Sequence, residues 1–371
     1  MMTRPCATLA ALFFFVSLPT TPLRAQDVCV DPAEDAHARL LERIAEAKDR
    51  LKDEPIGTTR LGGQYAVLAL WDPAADDGID LVRVRGGISR TAGFEVTLIR
   101  RNGVNSEYRI LEPAGWVVLA IKTNVHHPWN RRRTLPVIYV PYSTGLHSPQ
   151  LVRDGRAYLL DLLDSAADRL DELRVLSASQ EDTAVSAVPS VRVLLTILLI
   201  EHITPSELER QGVAAVVERV LVTLALNRGD TYGYAMSYAG ARGLAQFIPG
   251  TYRSIRRRYP RARLRRDFTS GMMDHGNAVM AQYCLVDWIL RMLPDETLEE
   301  LMRADREEDL GAFIAAAYNA GEVAAYRALA RDPERWTEEG YGLPRETRRY
   351  VRTFRTVYRH LFPGSERNPD R

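Results

Sequence analysis

Glu201 is the side chain in this sequence best placed for acid–base chemistry. It follows the run 191–200, Val-Arg-Val-Leu-Leu-Thr-Ile-Leu-Leu-Ile, which is apolar nearly all the way round and so reads as a buried helix. Pro205 biases Thr204 away from helical geometry, which ends the helix there and leaves Glu201 in its last turn. At that position the negative end of the helix dipole and the apolar surroundings both disfavour an ionised carboxylate and raise its pKa. A carboxyl that keeps its proton near neutral pH is what general acid catalysis requires. Taken alone, the position also suits a surface glutamate that reaches water from a helix end.

Three later stretches bear on the choice. The first, 237–251, is Ser-Tyr-Ala-Gly-Ala-Arg-Gly-Leu-Ala-Gln-Phe-Ile-Pro-Gly-Thr, a glycine-rich turn where backbone can approach a ligand. Within it Gln246 offers a sugar both a donor and an acceptor. The others are Ala317-Tyr318-Asn319-Ala320-Gly321 and Glu346-Thr347-Arg348-Arg349-Tyr350-Val351. In this order, over 188–361, they resemble the soluble lytic transglycosylase family, bacterial enzymes of the goose-type lysozyme-like fold that cut peptidoglycan glycan strands. The resemblance implies Glu201 as the catalytic residue. It implies that Gln246, Tyr318 and Asn319 bind substrate, and that Tyr350 does so while hydrogen-bonding the catalytic carboxyl. It also implies an all-α catalytic domain and no metal or cofactor.

The sequence departs from the family pattern in three places. His202 stands where a serine is expected, Ala245 replaces a methionine, and Ser237 lies farther beyond Glu201 than the family spacing. The intervening 213–227 reads as an inserted amphipathic helix. Glu218 on it is a rival acid, although its setting suits a solvent-facing position between buried neighbours. Adjacent residues on a helix do not face each other, so His202 is not read as a catalytic partner.

Glycosidases ordinarily flank the cleaved bond with two carboxylates. The motifs supply one strong candidate. The resembled family works with one because the 6-hydroxyl of muramic acid attacks C1 and gives a 1,6-anhydro product. A lysozyme-type hydrolase on the same fold would need a second carboxylate or a held water, and Asp230 is the candidate. A non-catalytic glycan-binding or scaffold protein is the third reading.

The elements that must position these residues form an α+β chain: a C-terminal all-α lysozyme-like domain preceded by a small β-rich domain with flanking helices. The chain has 371 residues, 46% apolar and 26% charged, with a net charge of +1, so it is long enough for two domains. That charge gives no global field for nucleic acid. Arg4, the apolar run 7–18 and the small Ala25 before Gln26 read as a signal peptide over 1–25, which implies a periplasmic or secreted protein with no transmembrane segment after cleavage. Leu23 is not the usual small residue there, so an uncleaved anchor is the alternative. Cys29 and Cys284 would remain, and their spacing does not decide whether they pair.

Segment 26–176 carries an amphipathic helix with Leu40, Ile44, Ala47 and Leu51 on one face. Short strands follow at 81–85, 94–99, 107–111, 116–121 and 137–140, and then a long helix with Leu159, Leu163, Ala166, Leu170 and Leu173. His126 and His127, beside Pro128 and Trp129, lack a Cys, Asp or Glu to complete a ligand set and read as a solvated loop. Segment 177–190 lacks periodicity and reads as a linker, 191–361 as the catalytic domain and 362–371 as a tail. The arginine-rich run 253–266 reads as a solvated face, with contact to acidic groups of the wall or of a cell-envelope protein as the functional alternative. Nucleic acid does not suit an exported location.

Overall fold

The computed structural model describes residues 32–57, 65–75 and 78–364. The signal peptide, Cys29 and most of the tail therefore lie outside the described residues. The protein mixes α and β structure, with a sheet region first and helices after it.

The sheet region begins with α1 (Pro32–Lys52), whose Ile44, Ala47 and Leu51 are buried. Among the described residues seven strands follow: β1 (Ala66–Trp71), β2 (Asp80–Val84), β3 (Ile88–Thr91), β4 (Phe94–Arg100), β5 (Glu107–Glu112), β6 (Val117–His127) and β7 (Asn130–Tyr139). They form two antiparallel sheets, ordered β2-β1-β6-β7 and β3-β4-β5. Strand β1 is covered on both faces. Its Val67, Ala69 and Trp71 join the core beneath α1, while Leu68 and Leu70 meet Val96 and Phe94 of the second sheet. With both faces apolar, β1 shows no alternation, so strand periodicity does not reveal it.

His126 and His127 are not in a loop. They end β6, and the chain turns through Pro128 and Trp129 into β7, with His126 paired to Thr134. Proline and a charge run mark this stretch as irregular, but cross-strand pairing overrides them.

The helical region starts earlier than the linker reading allows. Helix α2 (Pro149–Glu172) puts Leu159, Leu163, Ala166 and Leu170 into the same core as the later helices. The stretch 177–190 is docked rather than free. The Asp287 carboxylate, fully buried, accepts from Ser177 Oγ (2.5 Å), the Ala178 amide (2.7 Å), Ser179 Oγ (2.6 Å) and the Tyr259 hydroxyl (2.6 Å). Helix α2 and 177–190 therefore pack with the later helices, while Leu151 of α2 joins the core beneath β1.

Helix α3 (Val191–Ile200) is buried from Val193 onward and packs against α2 and the later helices α10 (Glu307–Ala320) and α12 (Arg345–Leu361). A short α4 (Pro205–Gln211) starts with a Thr204–Glu207 capping box and Pro205 in its first turn, as Pro205 dictates. Helix α5 (Val213–Asn227) is no peripheral insertion. Val216, Val217 and Leu224 enter the helical core, while Val222 and Leu226 enter the core beneath the β1 sheet, so α5 is the seam between the two regions. The remaining helices are α6 (Pro249–Arg258), α7 (Phe268–Met273), α8 (His275–Leu290), α9 (Asp295–Leu301) and α11 (Glu322–Arg331). Cys284 is buried within α8.

A glycine sets the fit of the seam. At Gly155 of α2 an added Cβ would lie 1.9 Å from the Leu221 carbonyl oxygen of α5. Gly155→Ala should gain about 1 kcal/mol of helix propensity. The backbone clash must part α2 from α5, so we expect net destabilisation of about 1–3 kcal/mol in urea unfolding. A variant more stable than wild type would contradict this close approach.

Candidate active site

Helix α3 ends where its run of apolar side chains ends, and Glu201 is its C-cap residue, with its amide donating to the Ile197 carbonyl. The carboxyl is therefore delivered from a largely buried helix to the edge of a cavity of about 340 Å3, which Glu201 lines. Burial pushes the Glu201 pKa up to about 7 from 4.5, while a hydrogen bond from Tyr350 pulls it back in part. That bond, from the Tyr350 hydroxyl to Glu201 Oε1, spans 2.5 Å. It depends on α12 packing along α3.

The glycine-rich turn is clamped beside the carboxyl. His202 Nε2 meets the Leu244 carbonyl at 2.8 Å, and because a carbonyl can only accept, Nε2 carries the proton. The His202 ring stacks on Tyr232 with centroids 3.5 Å apart and planes at 3°. Burial lowers the His202 pKa to about 3, so the imidazole is neutral across the useful pH range. The Tyr318 hydroxyl donates to the Ala245 carbonyl (2.6 Å), and Gln246 Nε2 donates to the Gly243 carbonyl (2.7 Å). Gly243 itself, at φ +73°, would bring a Cβ to 2.0 Å from the Met272 carbonyl oxygen. Its close approach is thus to α7 rather than to a ligand. Gln246 sits at φ +46°, in the left-handed region few residues other than glycine occupy, and it lines the cavity.

Of the residues singled out in the sequence, Glu201, His202, Ser237 and Gln246 line the cavity, and Tyr350 bonds Glu201. Tyr318 lies close enough to Glu201 for the carboxylate to raise its pKa further, although burial is the larger cause. Asn319 is exposed, does not line this cavity, and accepts from Thr347 Oγ1 at 2.8 Å, which joins α10 to α12. Asp230 is exposed and is not among the cavity-lining residues. Glu218 pairs with His147 at 3.0 Å and also does not line it.

Sequence reasoning misses the far wall, which comes from the sheet region. Arg100 at the end of β4, Asn102, Asn105 and Tyr142 line the cavity with Glu201. An ion cluster holds them there: Glu207 takes Arg100 Nη1 at 2.9 Å and both Arg219 amino nitrogens at 3.3 Å, and Arg100 Nη2 reaches Glu107 at 3.1 Å. Burial alone would raise the Glu207 pKa, but Arg219, Arg100 and the bonds from Thr204 outweigh it and lower it. Glu207 thus stays ionised while Glu201, shortly before it in sequence, holds its proton. The one available signal was Arg219, a charge within the apolar run of α5.

Comparison with known proteins finds no matching family model, no matching curated protein and no matching solved structure.

The Glu201 shift sets a pH dependence. Its folded pKa of about 7 exceeds the unfolded 4.5, so the folded state holds the extra proton between these values and stability falls as pH rises through that window. The loss is roughly 3 kcal/mol by pH 8. Glu201→Gln should therefore melt close to wild type at pH 4 and above it at pH 8. Equal melting temperatures at pH 8 would contradict a desolvated carboxyl.

Proposed function

We propose that the protein is a peptidoglycan lytic transglycosylase, with the helical region as a lysozyme-like catalytic domain acting outside the cytoplasm. The observation that carries the reading is Glu201: a carboxyl with its pKa raised to about 7, on a cavity, bonded by Tyr350 and flanked by the clamped turn. The resemblance of the three sequence stretches supplies the substrate, the β-1,4 bond between N-acetylmuramic acid and N-acetylglucosamine.

Glu201 gives its proton to the glycosidic oxygen as the C1–O bond breaks, and the leaving sugar departs with a 4-hydroxyl. The resulting carboxylate takes the proton of the muramic acid 6-hydroxyl as that oxygen bonds to C1, which closes a 1,6-anhydro ring and restores the acid. Near pH 7 such a group serves equally as donor and acceptor. Tyr350 stabilises the carboxylate midway through the cycle. Neutral His202 cannot compete as a proton donor, and its work is to hold Leu244. A hydrolase would need a second carboxylate or a held water, and Asp230, the sequence candidate, does not line the cavity.

On purified peptidoglycan, mass analysis should find fragments lighter by one water than hydrolysis products. Glu201→Gln should lose at least about a hundredfold in turnover, and Glu218→Gln should stay active. Fragments of hydrolytic mass would replace this reading with the muramidase. Equal activity of Glu201→Gln would remove Glu201 as the acid, and no turnover by wild type would favour a binding or scaffold role.

The first step uses protonated Glu201, so kcat/KM should be flat below about pH 7 and fall above it. Tyr350→Phe removes the bond that lowers the pKa and should move the fall to higher pH. A shift to lower pH would contradict the assigned role of Tyr350.

A further inference from the structure

A second cavity, of about 530 Å3, adjoins the first and shares Asn102, Asn105, Ala235 and Met236 with it. Its volume lies within the roughly 300–1,000 Å3 that takes a small ligand. The β6–β7 hairpin walls one side. Pro128 and Arg242 both line the cavity, and Arg242 Nη2 donates to the Pro128 carbonyl at 3.0 Å. Next to Pro128, Trp129 Nε1 donates to Asp267 Oδ1 at 3.0 Å, at the N-cap of α7. The hairpin is thus fastened to the helical region through both residues of its turn.

The lining chemistry is mixed. Among the described residues it includes Asn102, Asn105, Asn124 and His126 beside Tyr234 and Met236, with Arg242 as its arginine and no Asp, Glu or Lys. Arg242 is the residue that fastens the hairpin. The Tyr139 hydroxyl donates to Asn105 Oδ1 at 2.7 Å, which fixes that buried amide in place. Planar amides beside an aromatic face suit a ring that carries hydroxyl and acetamido groups on its rim and C–H groups on its face. For the several carboxylates of a stem peptide, the described lining offers one arginine, and that side chain already bonds the Pro128 carbonyl.

We propose that this cavity is a subsite for N-acetylated amino-sugar units, built by the sheet region as an extension of the Glu201 cleft, and that the fastened hairpin ends it. The proposal rests on the transglycosylase reading for its substrate. A glycan strand lying in the Glu201 cavity runs into the second cavity and stops at the hairpin, so cleavage occurs at a set distance from a strand end. This assigns the sheet region a task that nothing in its own sequence announces.

The test uses full-length protein carrying Glu201→Gln and chito-oligosaccharides of increasing length, with binding measured by calorimetry. Affinity should rise from the disaccharide to longer oligomers and then level off. Thr134→Trp, which fills the cavity from an exposed strand position, and Asn124→Ala, which removes an amide without adding bulk, should each abolish the gain from length, a loss of about tenfold or more. The melting temperature of each variant reports its folding. On glycan strands, the active protein should release products of uniform short length from the first minutes, and Thr134→Trp should lose that uniformity. Unchanged length dependence in both variants would overturn the subsite even if anhydro products form. A length-dependent gain that both variants abolish, in a protein with no turnover, would keep the subsite and remove the catalytic reading. Binding of sugar-free stem peptide that Thr134→Trp abolishes would overturn the saccharide assignment in favour of a peptide site.

Discussion

A carboxyl group at the end of a helix made almost entirely of buried aliphatic side chains must either lose its charge or find donors for it. Glu201 does some of each. Burial of α3 raises its pKa to about 7, and the single bond from Tyr350 keeps the ionised form within reach. That balance depends on parts far apart in sequence. Helix α12 must lie along α3 to bring Tyr350 in, α10 must present Tyr318, and the turn that carries Gln246 must be drawn to the carboxyl by His202 and Tyr318 through two consecutive carbonyls. The core that desolvates Glu201 is thus also the frame that positions its neighbours.

The same constraint governs how the sheet region is attached. Helix α5 serves both cores, and its one buried arginine, Arg219, meets Glu207 just after the Glu201 turn while Arg100 reaches the same carboxylate from β4. Such a cluster adds little net stability once desolvation is counted, but breaking it leaves an unpaired buried charge, which penalises any other docking of the two regions. Registration of this kind is what a cleft with walls from two regions needs.

Much of the helical frame is legible in the sequence because its periods are long and its stops explicit. The apolar run before Glu201, Pro205, and the leucines of α2 each announce their place. The catalytic candidate is readable for the same reason, since a charge closing an apolar helix breaks a local rule. What sequence cannot supply is assembly. Asn319 carries the right motif yet bonds Thr347, Asp230 is an acid near the motifs yet exposed, and α5 looks like an insertion yet forms the seam. Strand β1 hides because it is covered on both faces, and His126 and His127 mislead because pairing across the hairpin, not local propensity, puts them in a strand. The asparagines of the far wall carry no signal at all until the sheets stack.

The central claim, that folding keeps one carboxyl protonated near neutrality beside the cavity, is tested most directly by carbon-13 NMR titration of glutamate side-chain carboxyls. The Glu201 signal is identified as the one missing from Glu201→Gln. A midpoint near 7 is what the burial of this group demands, and a midpoint near the ordinary 4.5 would contradict the account at its root.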